Sequence, residues 1–410
     1  MAQATIYEQI LDPGSRADPY PLYARLRQNP VSREPDGTYV VSTYREIVAL
    51  LHDPRLSSDP RNHQAPAAEP APDSPPGLPL DFIRRDPPEH DRLRELANRP
   101  FGPPCSPGRV DGMRPWLAET TDRLIDELDG RGRVDIVEDF AYRLPVAAIC
   151  RLLGVPLEDQ PRFHGWADAF VATFDPTTGE FAERQQTRNR VQAELGAYLA
   201  GLIDERAHHP LDDLISGLLT DTGPHAPMSR NDLISTSVLL LVAGHETTVN
   251  LIANGTLTLL REPEVLDRLR GEPELSIRLV EELLRYEPPV HMITSRSVLA
   301  DIGVAGTTIP KGAPITLMLA AGNRDPARFP DPDRFDPDRR DNQHLGFGNG
   351  VHYCFGAPLA RVEAQIALTA LARRLRAPRL AADPPPYRPN PILRGPRRLP
   401  VDIDGLGPAA

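Results

Sequence analysis

The stretch Phe347-Gly348-Asn349-Gly350-Val351-His352-Tyr353-Cys354-Phe355-Gly356 sets one cysteine in a loop punctuated by glycine. The residues that follow, Ala357-Pro358-Leu359-Ala360-Arg361, predict the first turns of a helix. A thiol in front of a helix meets the positive end of the helix dipole and backbone N–H groups, and both favour the thiolate. Glycine permits a tight turn and lets a flat cofactor approach the backbone closely. The loop therefore predicts a thiolate that suits an axial position on a haem iron.

The other two cysteines carry no such signal. Cys105 follows Phe101-Gly102-Pro103-Pro104, and Cys150 lies in an apolar stretch with helical spacing. A lone cysteine usually packs as a small buried hydrophobic residue, and we expect this of both. Around Cys354, by contrast, the ordered set of phenylalanine, glycines and histidine has no packing explanation.

At each diagnostic position, the run around Cys354 resembles the cysteine-ligand loop of the cytochrome P-450 (haem-thiolate monooxygenase) family. The resemblance extends from Asp18-Pro19-Tyr20 to Leu393-Arg394-Gly395, with motif order and spacing in agreement. It implies haem b as the cofactor and Cys354 as the metal ligand, with Phe347 and Gly348 at the haem. The implied fold is the haem-thiolate cytochrome P-450 fold, mostly α with a small β region, as a single domain over residues 1–410.

Composition is that of an ordinary globular protein, with 25% charged and 40% hydrophobic residues. The net charge of −11 argues against nucleic acid as a partner, because phosphate binding needs a basic surface. Three cysteines far apart give no disulfide framework and fit a reducing cytoplasm. No secretory signal or membrane span is visible, since the most apolar stretch, residues 238–244, is too short to cross a bilayer. We therefore expect a cytoplasmic protein of the soluble bacterial type, with a monomer as the default.

Helices dominate the predicted secondary structure. Apolar residues recur at helical spacing through residues 113–205, residues 231–260 predict one long helix, and residues 275–286 predict another that ends at Glu287-Pro288-Pro289. Proline-rich residues 60–88 and 384–391 predict irregular structure. Four strand-like pieces, residues 39–41, 302–304, 314–318 and 400–403, are expected to form one small mixed sheet.

The predicted long helix contains Ala243-Gly244-His245-Glu246-Thr247-Thr248. An acid and two threonines inside an apolar helix are locally costly, although threonine can bond back to the previous turn and Glu246 could face solvent. The small residues Ala243 and Gly244 let the helix distort and open a pocket. The resemblance implies that this segment covers the distal haem face. It implies further that Thr247 hydrogen-bonds bound dioxygen while Glu246 relays protons towards it.

Two further sets of charged residues are assigned by the resemblance. Glu282 and Arg285 lie one turn apart on a predicted helix, and with Arg334 they are expected to lock the scaffold behind the haem. The two haem propionates need cations or imidazoles. The residues expected to bind them are His90, Arg94, Arg296 and His352.

Apolar residues expected around the substrate are Val242, Val290, Met292, Ile293 and Leu393, with Ala243 against the haem. Simple core packing explains apolar residues at these positions equally well. Residues 60–80 and 170–184 correspond to the loops that usually gate access in this family, and both are rich in turn formers.

The implied reaction inserts one atom of O2 into a small organic substrate by hydroxylation, epoxidation or dealkylation, in secondary or xenobiotic metabolism. Electrons would come from NAD(P)H through a separate ferredoxin reductase and ferredoxin, docked on a basic patch with Arg92, Arg99 and Arg361 as candidates. One alternative is a haem-thiolate oxidative coupling, isomerase or peroxide-driven enzyme, against which the Glu246–Thr247 pair argues only in part. Another is a non-catalytic haem protein that senses gas or stores a ligand, which would need no such pair.

Overall fold

The computed structural model describes residues 4–62, 80–102, 108–173, 180–225 and 227–408. Most of these residues are helical, as predicted. Over the described ranges there are fifteen α-helices: α1 (Ile6–Leu11), α2 (Tyr20–Leu26), α3 (Tyr44–Leu51), α4 (Glu89–Phe101), α5 (Gly108–Gly112), α6 (Arg114–Asp126), α7 (Arg143–Leu153), α8 (Gln160–Ala172), α9 (Phe181–His208), α10 (Leu214–Thr220), α11 (Arg230–Arg261), α12 (Pro263–Gly271), α13 (Leu275–Tyr286), α14 (Leu319–Gly322) and α15 (Ala357–Arg374).

The β structure is small and divided. Ten short strands lie in the described part of the chain: β1 (Val31–Arg33), β2 (Tyr39–Val41), β3 (Leu56–Ser57), β4 (Arg133–Asp135), β5 (Ile293–Val298), β6 (Ile302–Val304), β7 (Thr307–Ile309), β8 (Pro314–Leu317), β9 (Arg379–Leu380) and β10 (Pro400–Asp402). They form a five-stranded sheet in the order β1-β2-β8-β5-β3, a three-stranded sheet β4-β10-β9 and a hairpin β6-β7.

The prediction of one mixed sheet was therefore wrong, although each of the four predicted strands exists. β2 and β8 do pair, in parallel. β6 instead pairs with β7 across a tight turn in which Ala305 and Gly306 both have positive φ, a geometry that closes a hairpin locally. β10 lies between β4 and β9. Strand partners depend on long-range packing, which strands of three or four residues do not encode.

The described chain packs as two compact units. Unit 1 comprises Met1–Ala65, Leu117–Arg143 and Thr247–Ala410, and unit 2 comprises Pro66–Trp116 and Leu144–Glu246. The prediction of a single domain stays a prediction. In unit 1, apolar side chains of α11, α12, α13 and α15 form one buried cluster, against which Cys354 packs. That cluster places the cysteine loop beside α13.

Helix α11 is long, apolar and mostly buried. It ends at Arg261 because Pro263 starts the next helix and cannot continue the hydrogen-bond ladder of α11. An 18-residue window of α11 has a mean hydropathy of 1.2, enough to cross a membrane by length and composition alone. However, 72% of that window is buried inside the protein, which is typical of a core helix.

Candidate active site

The cysteine loop is closed by its own backbone. The N–H of Cys354 donates to the carbonyl of Phe347 at 2.9 Å, and the N–H of Tyr353 donates to the carbonyl of Gly350 at 3.1 Å. Phe347 is buried in the core, whereas Cys354 is half-buried and stands just before α15. The sequence prediction of a cysteine at the start of a helix is thus the observed geometry.

Glycines shape this loop. Gly348 and Gly350 have φ of +70° and +68°, a backbone conformation that residues with a side chain rarely adopt. A Cβ at Gly350 would collide with the carbonyl oxygen of Leu51 at the end of α3. At Gly356, by contrast, no described atom lies within 4 Å of a Cβ. The loop is therefore packed closely on protein at Gly350, whereas the space next to Gly356 is open.

Some residues in the middle of α11 keep accessible surface, although the helix is otherwise buried. From Leu233 to Leu259 almost every residue is buried, and those that keep accessible surface are Leu239, Val242, Ala243, Gly244 and Thr247. Leu239, Ala243 and Thr247 are four residues apart and so lie on one face. These residues therefore keep accessible surface in the middle of a core helix, and the roles expected for Ala243 at the haem and Val242 at the substrate stay predictions.

Glu246 is only 2% exposed, and its neighbours His245 and Thr248 are buried too. The interpretation that Glu246 simply faces solvent is therefore excluded. Bonding of threonine to the previous turn is present in α11 at Thr256 and Thr258, which donate to the carbonyls of Ile252 and Asn254. Glu246 thus lies buried directly before the half-buried Thr247, and the role of the two residues in proton transfer stays a prediction.

The expected propionate ligands are divided between the units. In unit 2, His90 and Arg94 lie on one face of α4; His90 is 1% exposed, and its Nδ1 is 2.7 Å from Asp91. In unit 1, Arg296 lies on β5, and His352 Nε2 is 2.9 Å from the hydroxyl of Ser58. Their binding to propionates stays a prediction.

Two of the expected substrate residues meet in unit 1. Val290 and Leu393 form an antiparallel bridge, and both are half-buried, as is Ile293 on β5. Met292 does not join them: it is 1% exposed and packs in a core cluster with Ile10 and Tyr23. Core packing is thus the better interpretation for Met292, and the half-buried Val290 and Ile293 also pack against an apolar core cluster.

The rest of the substrate predictions fall partly outside the described residues. Residues 63–79 of one expected access loop and 174–179 of the other are not described, and neither is Cys105. Cys150 is described on α7, where burial raises the pKa of its thiol to about 12, so it behaves as the expected core residue.

The Glu282–Arg285 pair is present, but Arg334 is not its third side chain. Glu282 and Arg285 are 0% exposed and bonded at 2.7 Å and 2.8 Å. Arg285 also donates to the backbone carbonyl of Arg334 at 3.0 Å, whereas the guanidinium that reaches Glu282, at 3.4 Å, belongs to Arg339. Arg334 therefore contributes a backbone carbonyl to the pair, and the additional positive charge comes from the side chain of Arg339.

The candidate docking arginines do not form an uncompensated basic patch. Arg99 pairs with Asp221 and Glu95, each at 2.8 Å, and Arg92 lies 3.6 Å from Asp232. Arg361 is paired as well, with Glu281 on α13. The sequence interpretation overlooked Glu281 because it adjoins Glu282 and has no signal of its own until α13 and α15 are brought together.

Comparison with known proteins agrees with this geometry. The sequence profile described as Cytochrome P450 matches residues 76–401. Cytochrome P450 monooxygenase PikC of Streptomyces venezuelae is 42% identical over 397 residues, which is 94% of this chain and 91% of that protein. The mycinamicin IV hydroxylase/epoxidase of Micromonospora griseorubida is 39% identical over 389 residues, with 92% and 94% covered. The crystal structure of ligand-free CYP164A2 of Mycobacterium smegmatis has a TM-score of 0.86 at 39% identity, and the match covers 97% of this chain and 99% of that chain.

Relatives of this similarity, aligned over almost their whole length, establish the general activity. The chain is an oxidoreductase of the monooxygenase type that binds haem b and uses O2, a small-molecule substrate and redox partners. This chain belongs to the cytochrome P450 family.

Proposed function

We propose that this monooxygenase hydroxylates, epoxidises or dealkylates a small organic molecule in secondary or xenobiotic metabolism, with Cys354 as the axial ligand of its haem. The observation that carries the proposal is the position of Cys354, in a glycine-shaped loop at the start of α15. The name of the Micromonospora relative, a hydroxylase/epoxidase, supports these reaction types.

Haem b supplies the oxidising chemistry when it is bound. The chain's first contribution is to hold Cys354 as a thiolate, because the N-terminal end of α15 favours negative charge. The same loop keeps Phe347 packed in the core and leaves the side next to Gly356 open. His90, Arg94, Arg296 and His352 would bind the propionates and orient the ring.

Glu246 and Thr247 are proposed to deliver protons. The Thr247 hydroxyl is accessible on the face of α11 that carries Ala243, whereas the Glu246 carboxyl is buried directly beside it in sequence. A buried carboxyl can hold a proton and pass it to a hydroxyl through a short relay. Val242, Val290, Ile293 and Leu393 would form apolar walls that exclude water and orient the substrate.

A ferredoxin and a ferredoxin reductase are the proposed route for electrons from NAD(P)H, and a monomer in the cytoplasm is the proposed working state. The relatives named above support redox partners in general. The ion pairs at Arg92, Arg99 and Arg361 mean that docking, if electrostatic, must use other cations.

The proposal is tested by the difference spectrum of the reduced protein with and without carbon monoxide. A thiolate-ligated haem gives a strongly red-shifted Soret band, which we expect in the wild type and not in Cys354→Ala. Thr247→Ala should keep that band but form less product per NAD(P)H consumed, because proton delivery fails while electron uptake continues.

Thr256→Ala is the matched control for Thr247→Ala, since Thr256 is buried on the same helix and bonds only back to Ile252 among the contacts described. It should keep the product yield. A red-shifted band that persists in Cys354→Ala, or an unchanged yield in Thr247→Ala, would contradict the assigned roles.

A further inference from the structure

Glu281 lies next to the buried Glu282 but serves different partners. Arg361 donates to both of its oxygens, from Nε to Oε1 at 2.6 Å and from Nη2 to Oε2 at 2.9 Å. His344 Nε2 lies 3.1 Å from Oε2. Because Nδ1 of His344 accepts the backbone N–H of Gly346 at 3.0 Å, the ring proton is on Nε2, and His344 donates. One carboxylate on α13 thus accepts three hydrogen bonds.

The partners of Glu281 flank the cysteine loop, because His344 precedes the loop and Arg361 lies on α15 after it. The Arg361 guanidinium stacks on the ring of Phe347, 4.6 Å from its centroid, and both of its terminal nitrogens are 3.3 Å from the hydroxyl of Tyr353. Phe347 accepts the N–H of Cys354, and Tyr353 directly precedes Cys354. A continuous set of contacts therefore runs from Glu281 through Arg361 to both sides of the cysteine.

The pair between Glu281 and Arg361 is stably charged. Its side chains are 29% and 30% exposed, and the bidentate geometry is the strong form of such a pair. Burial raises the pKa of Glu281, but hydrogen bonds from Arg361 and His344 outweigh it and lower the pKa to about 2. At neutral pH the guanidinium close to the loop is therefore balanced by a carboxylate.

We propose that Glu281 is a positioning residue for the axial ligand. Through Arg361 and His344 it holds Phe347 and Tyr353 against the loop of Cys354, and it neutralises a cation that would otherwise withdraw electron density from the thiolate. It touches no reacting atom. The inference rests on Cys354 being the haem ligand, as proposed above.

The test measures the haem midpoint potential and the red-shifted Soret band of the reduced carbon monoxide complex in purified holoenzyme. Glu281→Gln leaves the Arg361 charge unbalanced, which stabilises the more negative reduced haem, so the potential should rise and part of the band should be lost. Arg361→Gln leaves the carboxylate unbalanced and should lower the potential. The double variant removes both charges, and its potential should lie closer to that of the wild type than either single variant.

Two further variants separate positioning from general stability. Glu281→Asp keeps the charge and should restore the potential most of the way, even if Glu281→Gln loads haem poorly. Arg278→Gln removes a charge from the same helix, where Arg278 pairs with Asp338 at 2.6 Å, and should leave the potential and the band unchanged.

The proposal is overturned if Glu281→Gln lowers only the thermal stability, or if Glu281→Gln and Arg361→Gln shift the potential in the same direction. A wild type without the red-shifted band would instead refute Cys354 as ligand, and this inference with it. If the wild type shows the red-shifted band and Glu281→Gln has the midpoint potential of the wild type, this inference alone is refuted.

Discussion

Glu363 lies on α15, nine residues after the cysteine, and is 2% exposed. Its Oε2 has no hydrogen-bond partner among the described residues. Burial alone raises the pKa of this carboxyl to about 8, from an ordinary value of 4.5. At the scale of a single residue, the protein therefore keeps a neutral acid in its core at pH 7.

The raised pKa of Glu363 makes stability depend on pH in a definite direction. Above pH 4.5 the unfolded chain loses this proton while the folded chain keeps it, so stability falls as pH rises and levels off above about pH 8. Glu363→Gln removes the cost and should stabilise the protein by roughly 2–4 kcal/mol at pH 7. The measurement is denaturant unfolding of both proteins from pH 4 to pH 9.

Below pH 4.5 the two unfolding curves should converge, because the carboxyl is then neutral in both states. The control is Glu127→Gln, since Glu127 is exposed and its pKa is lowered by Arg143 and Arg123. That variant should lose stability at neutral pH. Equal stability of wild type and Glu363→Gln at all pH values would show that Glu363 is partnered in solution.

At the scale of the element, the loop before α15 depends on Gly350. Alanine there would force a side chain into positive φ and into the carbonyl oxygen of Leu51. The backbone strain alone costs about 1–3 kcal/mol. We expect Gly350→Ala to lower the unfolding midpoint and the fraction of protein that retains haem, measured by thermal unfolding and by absorbance of the bound haem.

Gly132→Ala is the control for this loop, because no described atom lies within 4 Å of the added Cβ and its φ is not in the positive region. It should leave both measurements unchanged. If Gly350→Ala also leaves them unchanged, α3 and the loop must be able to move apart, and the loop would not be fixed by its contact with Leu51.

The same scale shows why sequence patterns predict helices better than sites. α13 spans the predicted residues, and α11 extends one residue beyond the prediction at each end. The C-terminal ends could be predicted because a proline follows each of them within two residues. The identity of Arg339 as the partner of Glu282, and of Arg361 as the partner of Glu281, depends on contacts across 57 and 80 residues. Local spacing contains no information about such pairs, so sequence reasoning placed Cys354 but overlooked Glu281.

At the scale of the whole molecule, charge sets how a redox partner approaches. The chain carries a net charge of −11, and ferredoxins are usually acidic. Arg92, Arg99 and Arg361 each have a carboxylate partner, so they add little local attraction. Long-range repulsion between two acidic proteins should then dominate their encounter.

Salt screens this repulsion over a Debye length of about 10 Å at 0.1 M, so the second-order rate of haem reduction by an acidic ferredoxin should rise with ionic strength. Stopped-flow reduction under carbon monoxide, over a salt series at fixed ferredoxin, measures this directly. An uncharged small-molecule reductant is the control and should give a rate that does not depend on salt. A reduction rate that falls with salt would mean that attraction outweighs repulsion. The docking site must then contain cations other than these three paired arginines, because their charges are already balanced within the protein.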